Sequence, residues 1–443
     1  MKKTSVLVLL FALITVCGTA ERLWAGTIDS LILNTEISAA NFFGTNARAM
    51  AMGQTGIATA QDGSAMIYNP ACLARVRRLE VLGGLSHLRL DNTTDYHTGR
   101  YQGYTSTVNT GKRNLTKTHL DGLSVAVPVP TYRGSMVFGF GVHRVKNFDR
   151  TLQLKLRDEA GNDFIDQKQT ETESGGLYAW SAAGAVEVSP RMAVGMGLSV
   201  YTGKAEYAAR YQESEQTGPN GYSVDETTDI QSDHVGISGS IGFSYQAAPS
   251  LTIGVVIESP SWWNIKEDSK ITGTEVFDTA SSPYYWQSDY GDNSSTEYNL
   301  RHPFSLGLGA GFSHRQLTLA LDVKYTDWSQ MEYTNKFSQD LNAIIQENYR
   351  EVVAVRLGAE YVFPKPGISL RAGYFTDPLP FPSGYIKKDR KYATFGIGFL
   401  IDQVMTIDLA AVLGGYTINY KDPLRYTEEY KTRRVFLTMA YRI

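Results

Sequence analysis

The stretch Leu317-Thr318-Leu319-Ala320-Leu321-Asp322-Val323-Lys324-Tyr325-Thr326 puts Leu, Leu, Leu, Val and Tyr at the odd positions and Thr, Ala, Asp, Lys and Thr at the even ones. Successive side chains of a strand point to opposite faces, so this segment reads as a strand with one apolar and one polar face. The same period recurs at Val353-Val355-Leu357-Ala359-Tyr361-Phe363, at Phe395-Ile397-Phe399-Ile401 and at Met192-Val194-Met196-Leu198-Val200. Working outward gives fourteen such runs, near 79–90, 118–127, 133–145, 174–187, 190–203, 232–246, 250–259, 299–313, 316–327, 350–363, 367–376, 389–401, 404–415 and 431–443. An even count is what a closed single-chain outer-membrane barrel usually has.

The joins sharpen this. Those near Pro128-Val129-Pro130, Ser189-Pro190, Ala248-Pro249, His314-Arg315, Pro364-Lys365-Pro366 and Asp402-Gln403 span a few residues each. Between them fall long polar joins near 91–117, 146–173, 204–231, 260–298, 328–349, 377–388 and 416–430. Short turns at one rim and long loops at the other are the layout of an outer-membrane barrel, and a soluble sandwich has no reason to sort its connections so. The expected fold is all-β: a 14-stranded antiparallel transmembrane β-barrel over residues 79–443, preceded by a hatch.

Composition agrees. The 443 residues are 42% hydrophobic and 20% charged, with net charge -3, 41 Gly, 27 Tyr and two Cys. Length alone would allow about three domains of roughly 150 residues, but a barrel absorbs it as one unit. The charge excludes a polybasic nucleic-acid binder, the apolar fraction excludes general disorder, and two Cys cannot staple a chain this long. Beyond the N-terminus no apolar run reaches about 18 residues, so no spanning helix is expected. At the N-terminus, Lys2 and Lys3 precede an apolar run from Val6 to Val16 and then small residues, which reads as a secretory signal over 1–25, cleaved after Ala20 or Ala25. Bulky Val16 before Cys17 argues against a lipoprotein. Cys72 is then the remaining thiol, expected as a buried small residue.

A basic side chain facing lipid at midplane costs about 2–4 kcal/mol. Asp322, Lys324, Arg356, Glu360, Arg371 and Asp408, opposite the apolar stripes, are therefore expected in the lumen. Either a water-filled pore or a plugged lumen held by ion pairs would accommodate them. Residues 26–78 bear on the choice: this stretch, rich in small residues and without strand periodicity, contains Ala47-Arg48-Ala49-Met50-Ala51-Met52-Gly53 and Tyr68-Asn69-Pro70-Ala71. It must hang in the periplasm or fill the barrel. Asn-Pro by itself marks a turn.

The run from Ala47-Arg48-Ala49-Met50 to Asn69-Pro70-Ala71, followed by fourteen strands, resembles the FadL/TodX family of outer-membrane transporters of hydrophobic compounds. Asp322-Val323-Lys324-Tyr325-Thr326-Asp327-Trp328-Ser329, Leu370-Arg371-Ala372-Gly373-Tyr374-Phe375-Thr376-Asp377-Pro378 and Thr406-Ile407-Asp408-Leu409-Ala410 extend the likeness over nearly the whole mature chain. The resemblance implies ligand capture at the extracellular loops, an apolar lumenal pocket, and sideways exit at a kinked third strand. It also assigns the gate to Asn69, Pro70 and Ala71. In the third strand Gly139 and Gly141 read inward, where a kink is set against simple small-residue packing, as at Gly195/Gly197, Gly307/Gly309 and Gly396/Gly398.

Trp262, Trp263, Tyr284, Tyr285 and Trp286 form a candidate capture groove, with loop packing or an interfacial girdle as the plainer account. Lys324, Arg356 and Arg371 are candidates to meet a carboxylate head, or else partners of Asp322, Glu360 and Asp408. No catalytic site, metal site or cofactor is expected: His87, His97, His119, His143, His234, His302 and His314 are scattered, with no nucleophile motif and no ligand spacing. Expected partners are outer-membrane lipid and lipopolysaccharide, a hydrophobic ligand such as a fatty acid or aromatic hydrocarbon, and barrel assembly machinery. The last would read the alternation Val435-Leu437-Met439-Tyr441-Ile443, in which Ile443 stands where a terminal Phe is usual. A rival reading is a barrel resembling the PorV secretion adapters, whose loops hold protein partners. The Asp327-Trp328-Ser329 and Asp377-Pro378 matches favour the transporter.

Overall fold

A computed structural model describes residues 46–96, 105–218, 220–279, 285–335, 339–382, 384–420 and 426–443. The expected signal over 1–25, the first part of the expected hatch (26–45), His97 and Tyr284 lie outside the described residues.

The strands are β1 (Glu80–Tyr96), β2 (Thr105–Val108), β3 (Thr110–Val129), β4 (Met136–Asn147), β5 (Arg150–Ala160), β6 (Asp163–Ser189), β7 (Met192–Thr217), β8 (Asn220–Ala248), β9 (Leu251–Glu258), β10 (Ser261–Thr279), β11 (Tyr285–His302), β12 (Ser305–His314), β13 (Leu317–Asp327), β14 (Glu332–Tyr333), β15 (Glu351–Phe363), β16 (Ile368–Thr376), β17 (Ile386–Ile401), β18 (Met405–Tyr420) and β19 (Tyr426–Arg442). Several are halves of one crossing, such as β4 with β5, β9 with β10 and β11 with β12, so the chain makes 14 antiparallel passes. β1 pairs with β3 on one side and β19 on the other, which closes the ring and leaves no sheet edge in the membrane.

One expectation needs correcting. The joins at 204–231 and 260–298 are largely strand: β7 and β8 pair from Met192↔Tyr245 up to Thr217↔Asn220, and β10 and β11 pair up to Asp278↔Tyr285. In these upper parts the buried face carries Glu226 and Thr228 beside Tyr222 and Val224, so the apolar/polar alternation fades while the hydrogen-bonded ladder continues. Periodicity of hydrophobicity reports burial, not backbone pairing.

The faces sort as the alternation requires. Leu319, Leu321, Leu357, Leu370, Phe395, Leu409, Val435 and Met439 are exposed on the outer surface, where acyl chains would cover them. Asp322, Arg356, Glu360, Arg371 and Asp408 are buried on the inner one. Two short helices, α1 (Ala47–Ala51) and α2 (Ala65–Tyr68), and a 3-10 turn over Pro70–Arg75 lie within the ring. Their apolar side chains form two cores with the wall: Ala47, Met50 and Ala51 with Phe375, Val412 and Phe436, and Met66, Cys72 and Leu73 with Ala126, Val137, Ala183 and Ala185. A third helix, α3 (Gln339–Asn348), packs Ile345 into a larger aromatic cluster higher in the lumen.

Candidate functional site

The floor of the lumen is a plug pinned to the wall. Arg48 donates through Nη2 and Nε to the Glu360 carboxylate at 2.9 and 3.1 Å. Arg371 bridges Glu360 and Asp408 at 2.6 Å each. Asp322 Oδ2 accepts the backbone N–H groups of Gly56 at 2.7 Å and Ile57 at 2.9 Å. Asp322, Glu360, Arg371 and Asp408 are thus each engaged with the plug or with another charge. Inside the barrel an unpaired charge would have no water to solvate it.

Asn69, Pro70 and Ala71 belong to this floor. The Asn69 side chain accepts from Ala71 N at 3.1 Å and donates to the Ile57 carbonyl at 2.7 Å and, across to β8, the Phe243 carbonyl at 3.1 Å. Pro70 and Ala71 press on the backbone of β7 so closely that any Cβ at Gly195 would collide with them. The motif therefore packs against the fifth and sixth passes. Gly139 and Gly141 lie in β4, whose ladder to β3 is unbroken from Val129↔Met136 to Gly122↔His143. A Cβ at Gly139 would lie 2.9 Å from the Met66 methyl and 3.2 Å from Leu73, so the plug occupies the space that this glycine leaves.

The third pass is interrupted instead between Arg144 and Asp149. Its register to β6 shifts between Arg144 and Lys146, and the pass breaks between β4 and β5 at Phe148 and Asp149. The backbone ladder to β3 stops at Gly122↔His143, just below Asp121, which bulges from its pairing with β1. Above that point Asp149 meets His119 at 2.6 Å and Lys117 at 3.1 Å across the seam and Arg144 of its own pass at 3.7 Å, and the ladder resumes higher up, where β5 pairs with β2 from Val108↔Arg157 to Thr105↔Glu159. The expected kink is therefore displaced from the glycines, because their lack of side chains serves the plug.

Above the plug the lumen is aromatic and aliphatic. One buried cluster joins Phe148, Leu152, Leu154, Trp263, Leu300, Trp328, Tyr349, Phe381, Tyr420 and Tyr426, with Ile345 of α3 in its midst. Ion pairs are buried beside it, Arg150 with Glu171 at 3.0 Å and Arg390 with Asp377 at 3.4 Å.

The remaining sequence candidates are dispersed. Trp263 faces the lumen and packs on Tyr201 at 4.9 Å, whereas Trp262 is exposed outward. Tyr285 pairs with Asp278 and Trp286 with Phe277 near the tip of the β10–β11 hairpin. From the pair of Trp263 to that of Trp286 is roughly 45 Å along the strand at about 3.3 Å per residue, so these rings do not form one groove. Lys324 is paired with Glu258 at 2.6 Å, Arg371 with Glu360 and Asp408, and Arg356 stands opposite Asp322 in the ladder. Sequence reading missed Lys146, Phe148, Tyr201, His234 and His302. Lys146 and Phe148 fall in a stretch read as a loop, whereas Tyr201, His234 and His302 lie in the expected strands near 190–203, 232–246 and 299–313, where nothing local shows that they meet one another.

The closed ring, the apolar outer belt and the lumen filled by residues 46–78 and by an aromatic cluster define an outer-membrane β-barrel. Residues 33–423 match the family model for outer membrane protein transport protein (OMPP1/FadL/TodX). The chain belongs to that family. Its fold is also that of solved structures: a Pseudomonas aeruginosa FadL homologue (13% identity, 91% of this chain and 100% of that one, TM-score 0.58), the P. putida toluene transporter TodX (13%, 91% and 99%, 0.52) and the CymD monoaromatic hydrocarbon channel (16%, 91% and 99%, 0.52). A search of curated proteins found no match. The family's members are transporters and channels rather than enzymes.

Proposed function

We propose that this protein carries hydrophobic compounds, long-chain fatty acids or monoaromatic hydrocarbons, inward across the outer membrane. Ligand is captured at the extracellular hairpins, where Tyr285 and Trp286 lie near the β10–β11 tip and Trp262 and Trp263 at its base. It then enters the apolar upper lumen and leaves sideways at the third pass. The observation that carries this reading is the combination of an aromatic lumen above a pinned floor with a third pass whose ladder stops at Gly122↔His143. An apolar molecule that cannot cross the floor has its exit at the seam. In this reading Asn69, Pro70 and Ala71 hold the floor, and Gly139 and Gly141 give the plug room beside the exit. Lys324 and Arg371 keep their carboxylate partners and Arg356 stays opposite Asp322, and only on release of these contacts would they meet a ligand carboxylate. The surroundings are lipid and lipopolysaccharide, and the terminal strand is the element offered to barrel assembly machinery.

The test is uptake of dodecanoate and toluene by a deletion strain complemented with wild type or Gly139→Phe. The Phe side chain must displace Met66 and Leu73, so barrel assembly should persist while uptake falls several-fold. Uptake by wild type no better than by the deletion strain, together with stoichiometric protein partners in a pull-down, would replace the transporter by the adapter.

A further inference from the structure

The upper lumen holds a polar feature that an apolar conduit does not need. His234 of β8 is buried, and its ring lies 5.3 Å from that of Phe148. His302, at the end of β11, lies 5.6 Å from the ring of Trp263 and 5.5 Å from that of Trp328. Trp263 in turn packs on Tyr201. Among the described residues, Nδ1 of His234 and Nε2 of His302 are buried and have no hydrogen-bond partner. Neither ring has an ion-pair partner there.

Burying a polar group without a partner costs about 1–3 kcal/mol. Two histidines in one aromatic cluster, each with an unspent nitrogen, are therefore a standing cost in a lumen that Leu or Phe would fill more cheaply. Lys146, buried with its ammonium 5.2 Å from the Phe148 ring, opposes further positive charge in the same enclosure. Neutral imidazole offers one donor and one acceptor. A hydroxyl is also both, and the flat walls of Phe148, Tyr201, Trp263 and Trp328 suit a planar ring.

We propose that His234 and His302 make this cluster a binding site for hydroxylated aromatic compounds of the phenol class, so that the upper lumen prefers a phenol to the corresponding hydrocarbon. The proposal rests on the reading of the upper lumen as the ligand's path. In the present conformation Ile345 of α3 is fully buried in the same cluster, and it is the side chain that an entering ring would displace.

The experiment compares p-cresol with toluene, which differ by one hydroxyl. Binding of each to the full-length barrel in lipid nanodiscs would be measured by equilibrium dialysis, for wild type and for His234→Phe/His302→Phe. Phe keeps the ring contacts and removes the nitrogens. One hydrogen bond to a buried unpaired group corresponds to about tenfold in affinity. After correction for partition into lipid, wild type should therefore bind p-cresol about tenfold more tightly than toluene. In the double variant that ratio should fall towards one through loss of p-cresol binding, with toluene unchanged. Equal binding of the two by wild type overturns the proposal even where the variant does not assemble; so does an equal change for both ligands. Uptake by cells separates this from the transport reading. If cells take up neither compound but the binding preference is present, transport fails and the site stands. If both are taken up and bound without preference, the site fails and transport stands.

Discussion

At the scale of single residues, the lumenal charges turn out to be structural. Breaking a buried ion pair by removing one partner costs about 3–5 kcal/mol, because the other charge stays behind without water. Arg371→Met leaves Asp408 without its partner at 2.6 Å, while Glu360 keeps Arg48. The loss should appear at the low end of that range. It should be visible in planar bilayers as new ionic conductance from a loosened plug; a silent Arg371→Met would show that the network does not hold the floor. Asp322→Leu removes two charge-assisted bonds to Gly56 and Ile57, each worth about 1.5–3 kcal/mol. Hydrogen exchange at those two amides should quicken by at least tenfold relative to the barrel strands. Cys72 belongs at this scale as well. Burial pushes its thiol up and shields it, so maleimide at pH 8 should leave the folded barrel unlabelled and label it fully after heat denaturation.

At the scale of elements, what differs between strands is which of their two signals survives. In β13 and β15 the apolar/polar alternation and the ladder coincide, because lipid lies on one side and the plug on the other. In the upper parts of β7, β8, β10 and β11 only the ladder remains, and sequence patterning reads those parts as loops. The third pass fails in the other direction. Its glycines suggested a kink, but β4 pairs through them, and the interruption falls at Phe148 and Asp149, which carry no conspicuous local signal. The helix α3 fills the aromatic cluster with Ile345, whose burial contributes about 2 kcal/mol. Ile345→Asp should undock α3 without harming the barrel, giving protease cleavage between β14 and β15 that wild type resists. It should also raise ligand access to the lumen.

At the scale of the whole molecule, barrel and plug are separable in principle, since the ring closes through β1 and β19 without using residues 46–78. A chain that keeps the signal but lacks 26–78 is expected to assemble as a heat-modifiable barrel with a large, constant conductance and no selective uptake; failure to assemble would make the plug part of the folding core. The architecture was legible along the chain: the number of passes, the rim with tight turns, the faces that meet lipid and lumen, and the family resemblance carried by the Arg48, Asn69 and Asp322 segments. These follow from hydrophobic periodicity, because transfer into lipid penalises every misplaced charge. The contacts between passes could be read from the folded chain only. It settled that Arg371 serves Glu360 and Asp408, that Gly139 makes room for Met66 and Leu73, and that the β3–β4 ladder stops at His143. It also gathered Phe148, Tyr201, Trp263, His302 and Trp328 into one lumenal cluster from strands far apart in the chain. Such contacts depend on register and closure of the ring, which bring together residues that no local pattern of sequence relates.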